Sequence, residues 1–354
     1  MTNAESFEQI PIVDLGAATS SPAARRKLAA QLGDICHRIG FLVITGHGVA
    51  PSTIANVFEQ SNALFDLPLE QKKQVDKRQS RHFRGWEPVG AESTNNRTDF
   101  REQVDIWTEH PARAEGVSPA YLRLLGPNQW LPDTVLAKFQ PAVRQWLTEV
   151  AELADRLMAL LALSLELAEN HFDQLFGVQR MSLTKLIRYP ATPAGQFGVN
   201  AHHDTGFLTV LAPGQTLGLE VQNESDAWIP VPLISDALVV NLGEMLQAMT
   251  GHYFVATAHR VRTDGPRHSI GYFHGPALDT ELRTLPLAPR FHEAVAASPR
   301  HAHAGYMAQR AETNAGVPDM SSPHRPDTYG DQLWNYFARS YPDNMALHYP
   351  RVQN

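Results

Sequence analysis

The chain of 354 residues is poor in cysteine and in basic charge. Cys36 is its single cysteine, so no internal disulfide can form and nothing marks a secreted, disulfide-stapled scaffold. Lys and Arg number 30 against 37 Asp and Glu, which gives a net charge of −7. Nucleic acids and anionic membranes bind basic faces, so we expect neither as a partner.

Long uncharged apolar runs are also lacking. The most apolar stretch, residues 153–167, is interrupted by Asp155, Arg156 and Glu166. A membrane span needs about 18 or more nearly uncharged residues, so a buried helix explains this stretch better. The first residues have neither the basic nor the apolar part of a signal peptide. We therefore expect a soluble, cytoplasmic protein that is a monomer or a weak homodimer.

Periodic patterns divide the chain into a helical part and a β-rich part. Residues 23–39 and 52–65 have the spacing of amphipathic helices, the second with Ser52 as its N-cap, and residues 133–170 predict a long helix that Pro141 kinks or restarts. Short β-rich runs with turn signals between them then recur over residues 183–274. This even spacing is typical of a sandwich or barrel-like β unit.

Chemistry concentrates within the β-rich part, at His202, Asp204 and His259. Residues i and i+2 of an extended strand point to the same side, so His202 and Asp204 can act together. His259 would come from a distant strand folded alongside. Two histidines and one carboxylate leave three open positions on a metal, which is the facial triad of non-haem Fe(II) oxygenases. A closed tetrahedral zinc site would leave no such room.

Arg267 and Ser269 form a second pair on the strand that follows His259. The same alternation places a guanidinium and a hydroxyl on one face, where they can hold a carboxylate. Either motif alone is common and usually structural. In this order and spacing, chance explains the combination poorly.

These motifs resemble the isopenicillin N synthase-like family of the Fe(II)/2-oxoglutarate-dependent dioxygenase superfamily. The resemblance covers most of the chain and is weakest at residues 100–180 and 285–325. The matching segments are 10–15, 40–48, 67–72, 85–88, 186–190, 202–211, 241–247, 257–261, 267–269, 329–331 and 339–342.

The resemblance implies a mainly β fold with α-helices. Its core would be a distorted double-stranded β-helix, or jelly roll, over residues 181–285. An N-terminal α/β region (1–130), a long helical segment (131–180) and a C-terminal irregular and helical region (286–354) would wrap this core, all as one compact unit.

The resemblance also implies an enzyme that uses Fe(II), 2-oxoglutarate and O₂. His202, Asp204 and His259 would ligate Fe(II). Arg267 and Ser269 would anchor the C5 carboxylate of 2-oxoglutarate, and Tyr189 would point toward a bound carboxylate. The enzyme would hydroxylate, desaturate or cyclise a small-molecule substrate and release succinate and CO₂. In this family a carboxylate at position 204 argues against halogenation.

The substrate cannot be identified from the sequence, but the resemblance suggests which residues line its pocket. The candidates are Arg84, Trp86, Phe100, Arg188, Phe207, Phe273 and Arg339. Two alternatives stay open. One is an isopenicillin N synthase-like or ethylene-forming oxidase with a non-standard use of 2-oxoglutarate, and the other is a non-catalytic jelly-roll binding protein.

Overall fold

The computed structural model describes residues 6–16, 21–94, 97–298, 301 and 328–350. The helices of these residues are α1 (Pro22–Arg38), α2 (Pro51–Phe65), α3 (Leu69–Lys72), α4 (Asp133–Leu136), α5 (Phe139–Ser164), α6 (Glu244–Met249), α7 (Pro289–Ala297), α8 (Tyr329–Ser340) and α9 (Pro342–His348). The strands are β1 (Ile12–Asp14), β2 (Phe41–Thr45), β3 (Gly85–Glu87), β4 (Ser93–Thr94), β5 (Arg97–Thr98), β6 (Glu102–Trp107), β7 (Leu183–Tyr189), β8 (Val199–His202), β9 (Leu208–Ala212), β10 (Leu219–Gln222), β11 (Trp228–Pro230), β12 (Leu238–Leu242), β13 (His259–Val261) and β14 (Arg267–His274).

Most of these strands belong to two sheets. A large sheet has the order β1-β2-β12-β9-β14-β7-β6-β3, and a four-stranded sheet has the order β11-β10-β13-β8. Strands β1 and β2 pair in parallel, while the later strands pair with antiparallel neighbours. The large sheet is therefore mixed, and together with the helices that flank it, it confirms the predicted fold class, mainly β with α.

Residues before the β-rich part supply both ends of the large sheet. Strand β2 pairs with β12, and β6 pairs with β7. The sequence predicts loops and short strands over residues 76–130, yet all six residues of β6 are buried. The sequence does not reveal this burial, because three of the six residues, Glu102, Gln103 and Asp105, are polar.

The two faces of the large sheet differ in what covers them. Residues directly opposite each other in an antiparallel pair lie on the same face. We call the face that carries Arg267, Ser269 and their partners Tyr189 and Ile187 the inner face. The outer face carries Ile270 and its neighbours, and it packs on α2 and α5.

Helix α5 is continuous from Phe139 to Ser164, and Pro141 lies in its first turn, where a missing N–H costs nothing. The predicted N-cap of α2 is wrong: Ala50 is the cap and Pro51 follows it within the first turn. Ala50 has no capping side chain, so Glu149 of α5 accepts its backbone N–H at 2.8 Å instead.

The C-terminal region contributes three helices to the described chain. Helix α7 falls in a stretch that looked irregular from the sequence. Helix α8 begins at a capping box in which Thr328 and Asp331 exchange hydrogen bonds. Residues 302–327 of this predicted region lie outside the described residues. None of the described helices has both the length and the apolar character that crossing a membrane requires.

Candidate active site

The small sheet brings the two distant histidines side by side. His202 ends β8 and His259 begins β13, and the two residues are directly opposite each other in the antiparallel pair. The register shifts between His259 and Val261, a bulge of the kind that often re-aims a side chain near a site. Asp204 follows two residues after His202, beyond the end of the strand.

Three side chains converge at this point. The Nε2 atom of His202 lies 3.6 Å from Oδ1 of Asp204, and Nε2 of His259 lies 3.7 Å from the same oxygen. One ligand atom from each of the three residues lies within 4.8 Å of the others. Two imidazoles and a carboxylate at this separation suit a transition metal such as Fe(II), with positions left open for other ligands.

Hydrogen bonds orient all three side chains toward one another. The Nδ1 atom of His202 donates to the Asn200 carbonyl at 2.8 Å, and that of His259 donates to the Thr257 carbonyl at 3.1 Å. Carbonyls only accept, so each Nδ1 carries the proton and each Nε2 keeps a free lone pair. Outer hydrogen bonds of this kind fix the tautomer and the orientation of metal-binding histidines.

Asp204 is held in the same way. Its Oδ2 atom accepts hydrogen bonds from Thr209 Oγ1 at 2.6 Å and from Asn241 Nδ2 at 2.7 Å, which leaves Oδ1 toward the histidines. Neither of these partners is predicted from the sequence. Each is an isolated polar residue in an otherwise apolar strand, and that pattern is the signal that could have found them.

Local electrostatics favour the metal-binding protonation states. Burial, together with the neighbouring His202, lowers the pKa of His259 to about 4. Burial alone would raise the pKa of Asp204, but His259, His202 and the Asn241 hydrogen bond bring it below its ordinary value. The site therefore offers a neutral imidazole at His259 and an ionised carboxylate at Asp204 at neutral pH, the forms that bind metals.

The loop that carries Asp204 is fastened to the start of α6. The Glu244 backbone N–H donates to the Asp204 carbonyl at 2.8 Å, and the Gly243 N–H donates to the Phe207 carbonyl at 2.9 Å. A Cβ atom at Gly243 would lie only 2.1 Å from the backbone oxygen of Gly206. Only glycine permits this close approach, which sets the position of the carboxylate.

Arg267 and Ser269 lie on the inner face, which also carries Thr209 as the partner of Phe273, and they have unused hydrogen-bonding capacity. Both residues are 1% exposed. Arg267 donates from Nε to the Thr216 carbonyl and from Nη2 to the Pro213 carbonyl. Among the described residues, neither its Nη1 nor Ser269 Oγ has a hydrogen-bond partner. Buried polar atoms are nearly always paired, so these two indicate an acceptor that is supplied from outside the chain.

Tyr189 completes this region of the inner face. It is directly opposite Arg267, and the guanidinium lies 5.1 Å from the centre of its ring. Burial lowers the pKa of Arg267 below its ordinary value, and the tyrosine opposes that shift. An anion at Nη1 would offset the cost of burying this charge.

Two family models match the chain. Residues 177–276 match the 2OG-Fe(II) oxygenase superfamily, and residues 10–133 match the N-terminal region described as non-haem dioxygenase in morphine synthesis. The chain belongs to the 2OG-Fe(II) oxygenase superfamily. It is an enzyme, a dioxygenase that depends on Fe(II) and 2-oxoglutarate, as the sequence predicted.

Individual relatives agree with this assignment. The 2-oxoglutarate-dependent dioxygenase frbJ of Dothideomycetidae sp. is 32% identical over 293 residues, 79% of this chain and 77% of the relative. A Neurospora crassa structure in complex with alpha-KG and thymine has a TM-score of 0.68 at 23% identity and covers 78% of this chain and 88% of its own. The rice dioxygenase for auxin oxidation has a TM-score of 0.62 at 25% identity, with coverages of 86% and 96%.

The structure places two of the oxygenase's predicted substrate contacts on the outer face of the sheet. Arg188 is paired with His268 and Glu102 across the sheet, one position away from Tyr189. It forms ion pairs with Asp66 and Glu102 and donates to the Phe65 carbonyl. Trp86 donates from its indole to Glu102 at 3.0 Å. Both side chains therefore support the packing of this face, away from Arg267 and Ser269.

The other five predicted contacts are scattered. Arg84 is fully buried and donates to backbone carbonyls of residues 108 and 124 and to Asn128. Phe207 is fully buried against Phe176. Phe100 is half-buried and its backbone is bonded to that of Phe197, whereas Arg339 is exposed on α8. Phe273, the last of these five residues, lies on the same strand as Ser269, and the alternation of side chains places both on the inner face.

Proposed function

We propose that the oxygenase holds Fe(II) through His202, Asp204 and His259 and binds 2-oxoglutarate through Arg267 and Ser269. The reaction consumes one O₂, one 2-oxoglutarate and one substrate C–H bond. One oxygen atom enters succinate as CO₂ leaves, and the other enters the substrate as a hydroxyl. The substrate is a small molecule.

The single observation that carries this assignment is that two buried polar atoms, Arg267 Nη1 and Ser269 Oγ, have no hydrogen-bond partner among the described residues. We call these two residues the co-substrate anchor. A carboxylate has two oxygens and can accept from Arg267 Nη1 and from Ser269 Oγ at once, in a charge-assisted arrangement. Tyr189 packs beside the guanidinium and excludes water from it. This anchor would hold the distal end of the co-substrate while its keto-acid end faces the metal ligands.

The metal, when bound, supplies the activation of O₂, which no side chain can provide. The chain supplies orientation. Asn200 and Thr257 hold the imidazoles through their carbonyls, while Thr209 and Asn241 hold the carboxylate. His202, Asp204 and His259 would hold the metal through three protein ligands, and the metal would keep other positions for the co-substrate and O₂.

A stoichiometric assay tests the proposal. The purified protein, loaded with Fe(II) and supplied with 2-oxoglutarate and O₂, should release succinate slowly without substrate and faster with one. Asp204→Ala should abolish this release, and Arg267→Met should require far more 2-oxoglutarate. Succinate release at the wild-type rate by Asp204→Ala would rule out the assigned metal site.

We also propose that the protein is cytoplasmic, a monomer or weak homodimer, and without a nucleic-acid or membrane partner. The net charge of −7 and the single, buried cysteine support these statements. Light scattering after size exclusion tests the oligomeric state, and a stable trimer or larger assembly would contradict it.

A further inference from the structure

The inner face continues beyond the co-substrate anchor onto β7 and β6, where it is strongly polar. Ser269 is opposite Ile187, and Ile187 is opposite Gln103. Adjacent strands lie about 4.8 Å apart, so Gln103 is roughly 10 Å from Ser269 across the sheet. In the next row, Gly271 is opposite Lys185, which is opposite Asp105.

One part of this polar region is sealed. The ammonium of Lys77 forms ion pairs with Glu87 and with Asp105, and it lies 3.1 Å from the hydroxyl of Tyr341. The Lys77 side chain is 1% exposed. Its charge is fully compensated by these partners, so we assign it a role in holding α9 onto the sheet.

A second part is centred on Glu92 and retains more access to solvent. Glu92 pairs with Lys185 and with Arg101, each at 3.0 Å, and accepts from the Tyr336 hydroxyl at 3.0 Å. The side chains of Glu92, Lys185 and Arg101 are 12%, 10% and 9% exposed. This part of the polar region is therefore more exposed than the part around Lys77.

Gln103 lies between the two parts, and its amide orientation is fixed. Its Nε2 atom donates to Glu87 Oε2 and to Glu92 Oε2. The reversed amide would turn an oxygen toward two carboxylates, so the assignment is unambiguous. The carbonyl oxygen Oε1 is left without a hydrogen-bond partner among the described residues, although Gln103 is only 1% exposed.

Like Arg267 Nη1 and Ser269 Oγ, this oxygen is a buried, oriented polar atom on the inner face that has no hydrogen-bond partner in the part of the chain that the structure describes. Arg267 and Ser269 present donors, whereas Gln103 presents an acceptor. We propose that Gln103 Oε1 is the specificity-determining contact of the oxygenase and accepts a hydrogen bond from an N–H or O–H group of the substrate. The substrate class is therefore small polar molecules with a donor, such as amides, amines or phenols. This inference rests on the proposed function of the neighbouring site.

Because this acceptor is buried, the enzyme should discriminate between substrates that can donate a hydrogen bond to it and substrates that cannot. A substrate that cannot donate would leave Gln103 Oε1 both desolvated and unpaired, which costs about 10- to 100-fold in kcat/KM. The cost applies to N-methylated and O-methylated analogues as much as to hydrocarbons, because all of them lack the donor.

Matched compounds test the inference on the Fe(II)-loaded wild-type enzyme. The panel holds lactams with their N-methyl derivatives, phenols with their methyl ethers, and hydrocarbons of similar size. Succinate release above the rate without compound is the readout. We expect donor-bearing members to stimulate release and methylation to lower kcat/KM about 10- to 100-fold.

Two variants assign the effect to this residue. Gln103→Met should reduce the ratio between a donor-bearing compound and its methylated partner to near one. Gln103→Asn, which keeps the amide but withdraws it by one methylene, should give an intermediate ratio and serves if the Met variant does not fold. Thr184→Val is the matched control, because Thr184 is equally buried with an unpaired hydroxyl but lies on the outer face. It should retain the wild-type ratio.

Each outcome decides one question. The inference is overturned if no donor-bearing compound stimulates release, if methylated or apolar compounds work equally well, or if Gln103→Met keeps the wild-type ratio. Wild-type protein that releases no succinate from 2-oxoglutarate even without compound would instead overturn the proposed function. Release without discrimination would overturn the inference alone.

Discussion

Two arginines on opposite faces of the large sheet differ in how completely they are paired. Arg188, on the outer face, has ion pairs with Asp66 and Glu102 and a backbone acceptor at Phe65. Arg267, on the inner face, is more deeply buried, yet one of its nitrogens has no hydrogen-bond partner within the described ranges. Proteins rarely leave a buried donor unpaired, so this difference supports the proposal that the inner arginine binds a ligand while the outer one serves the fold.

The largest effect is expected at the proposed metal ligands. Asp204→Ala removes one of the three proposed ligands and leaves Thr209 and Asn241 without their acceptor. Disturbing only the outer partners of a metal ligand costs about 10- to 100-fold, so loss of the ligand should exceed 100-fold in turnover. Succinate release and Fe(II) content measure this loss. An active, iron-loaded Asp204→Ala protein would remove this residue from the site.

The two arginines themselves give the sharpest comparison. Arg267→Met should raise the KM for 2-oxoglutarate about 10- to 100-fold, because a charge-assisted contact contributes roughly 1.5–3 kcal/mol. The matched variant Arg188→Met should leave this KM unchanged. Titration of 2-oxoglutarate against succinate release measures both. Equal KM values in the two variants would mean that the inner arginine does not bind 2-oxoglutarate more strongly than the outer one.

Ser269→Ala should have a smaller effect of the same kind. The uncharged hydroxyl donates one hydrogen bond to a charged carboxylate, at the low end of about 1.5–3 kcal/mol, so the KM for 2-oxoglutarate should rise about tenfold. Because Ser269 Oγ has no partner among the described residues, its loss should not destabilise the ligand-free fold. Thermal unfolding with and without 2-oxoglutarate separates the two effects. A variant that unfolds more easily without ligand would show that the hydroxyl serves the fold.

Arg188→Met should show the smallest effect, and on stability alone. Its side chain is 26% exposed and Asp66 is 73% exposed, so solvent screens part of the interaction. Replacement should lower the free energy of unfolding by about 1 kcal/mol. Urea denaturation measures it. If Arg188→Met left the stability unchanged and raised the KM for 2-oxoglutarate, Arg188 would have the ligand-binding role proposed for Arg267.

The sequence was sufficient for the parts of the site that alternate along a strand. His202 with Asp204 and Arg267 with Ser269 are each two residues apart, and period-two geometry predicts that each pair shares a face. The same rule, applied once the strand register is known, separates Tyr189 from Arg188 and moves Trp86 to the outer face. Register depends on tertiary pairing, so the sequence alone could not provide it.

The polar residues on the inner face of β6 and β7 could not be predicted from the sequence for a related reason. Gln103 and Asp105 alternate with Val104 and Ile106, which is the pattern of a strand with one solvent-exposed face, so the sequence does not reveal that the polar side is buried. Lys185 is conspicuous in an apolar strand, but its partner Glu92 lies 93 positions away in the chain. Buried ion pairs of this separation become visible only when the fold brings the strands together.

An anaerobic titration of 2-oxoglutarate into the Fe(II)-loaded protein tests the central claim most directly, because the metal ligands and the carboxylate anchor must act on one molecule. We predict a visible charge-transfer absorption that saturates at one 2-oxoglutarate per iron. It should be absent in Asp204→Ala and require far more 2-oxoglutarate in Arg267→Met. No such absorption in the wild type, or one unchanged in both variants, would contradict the account.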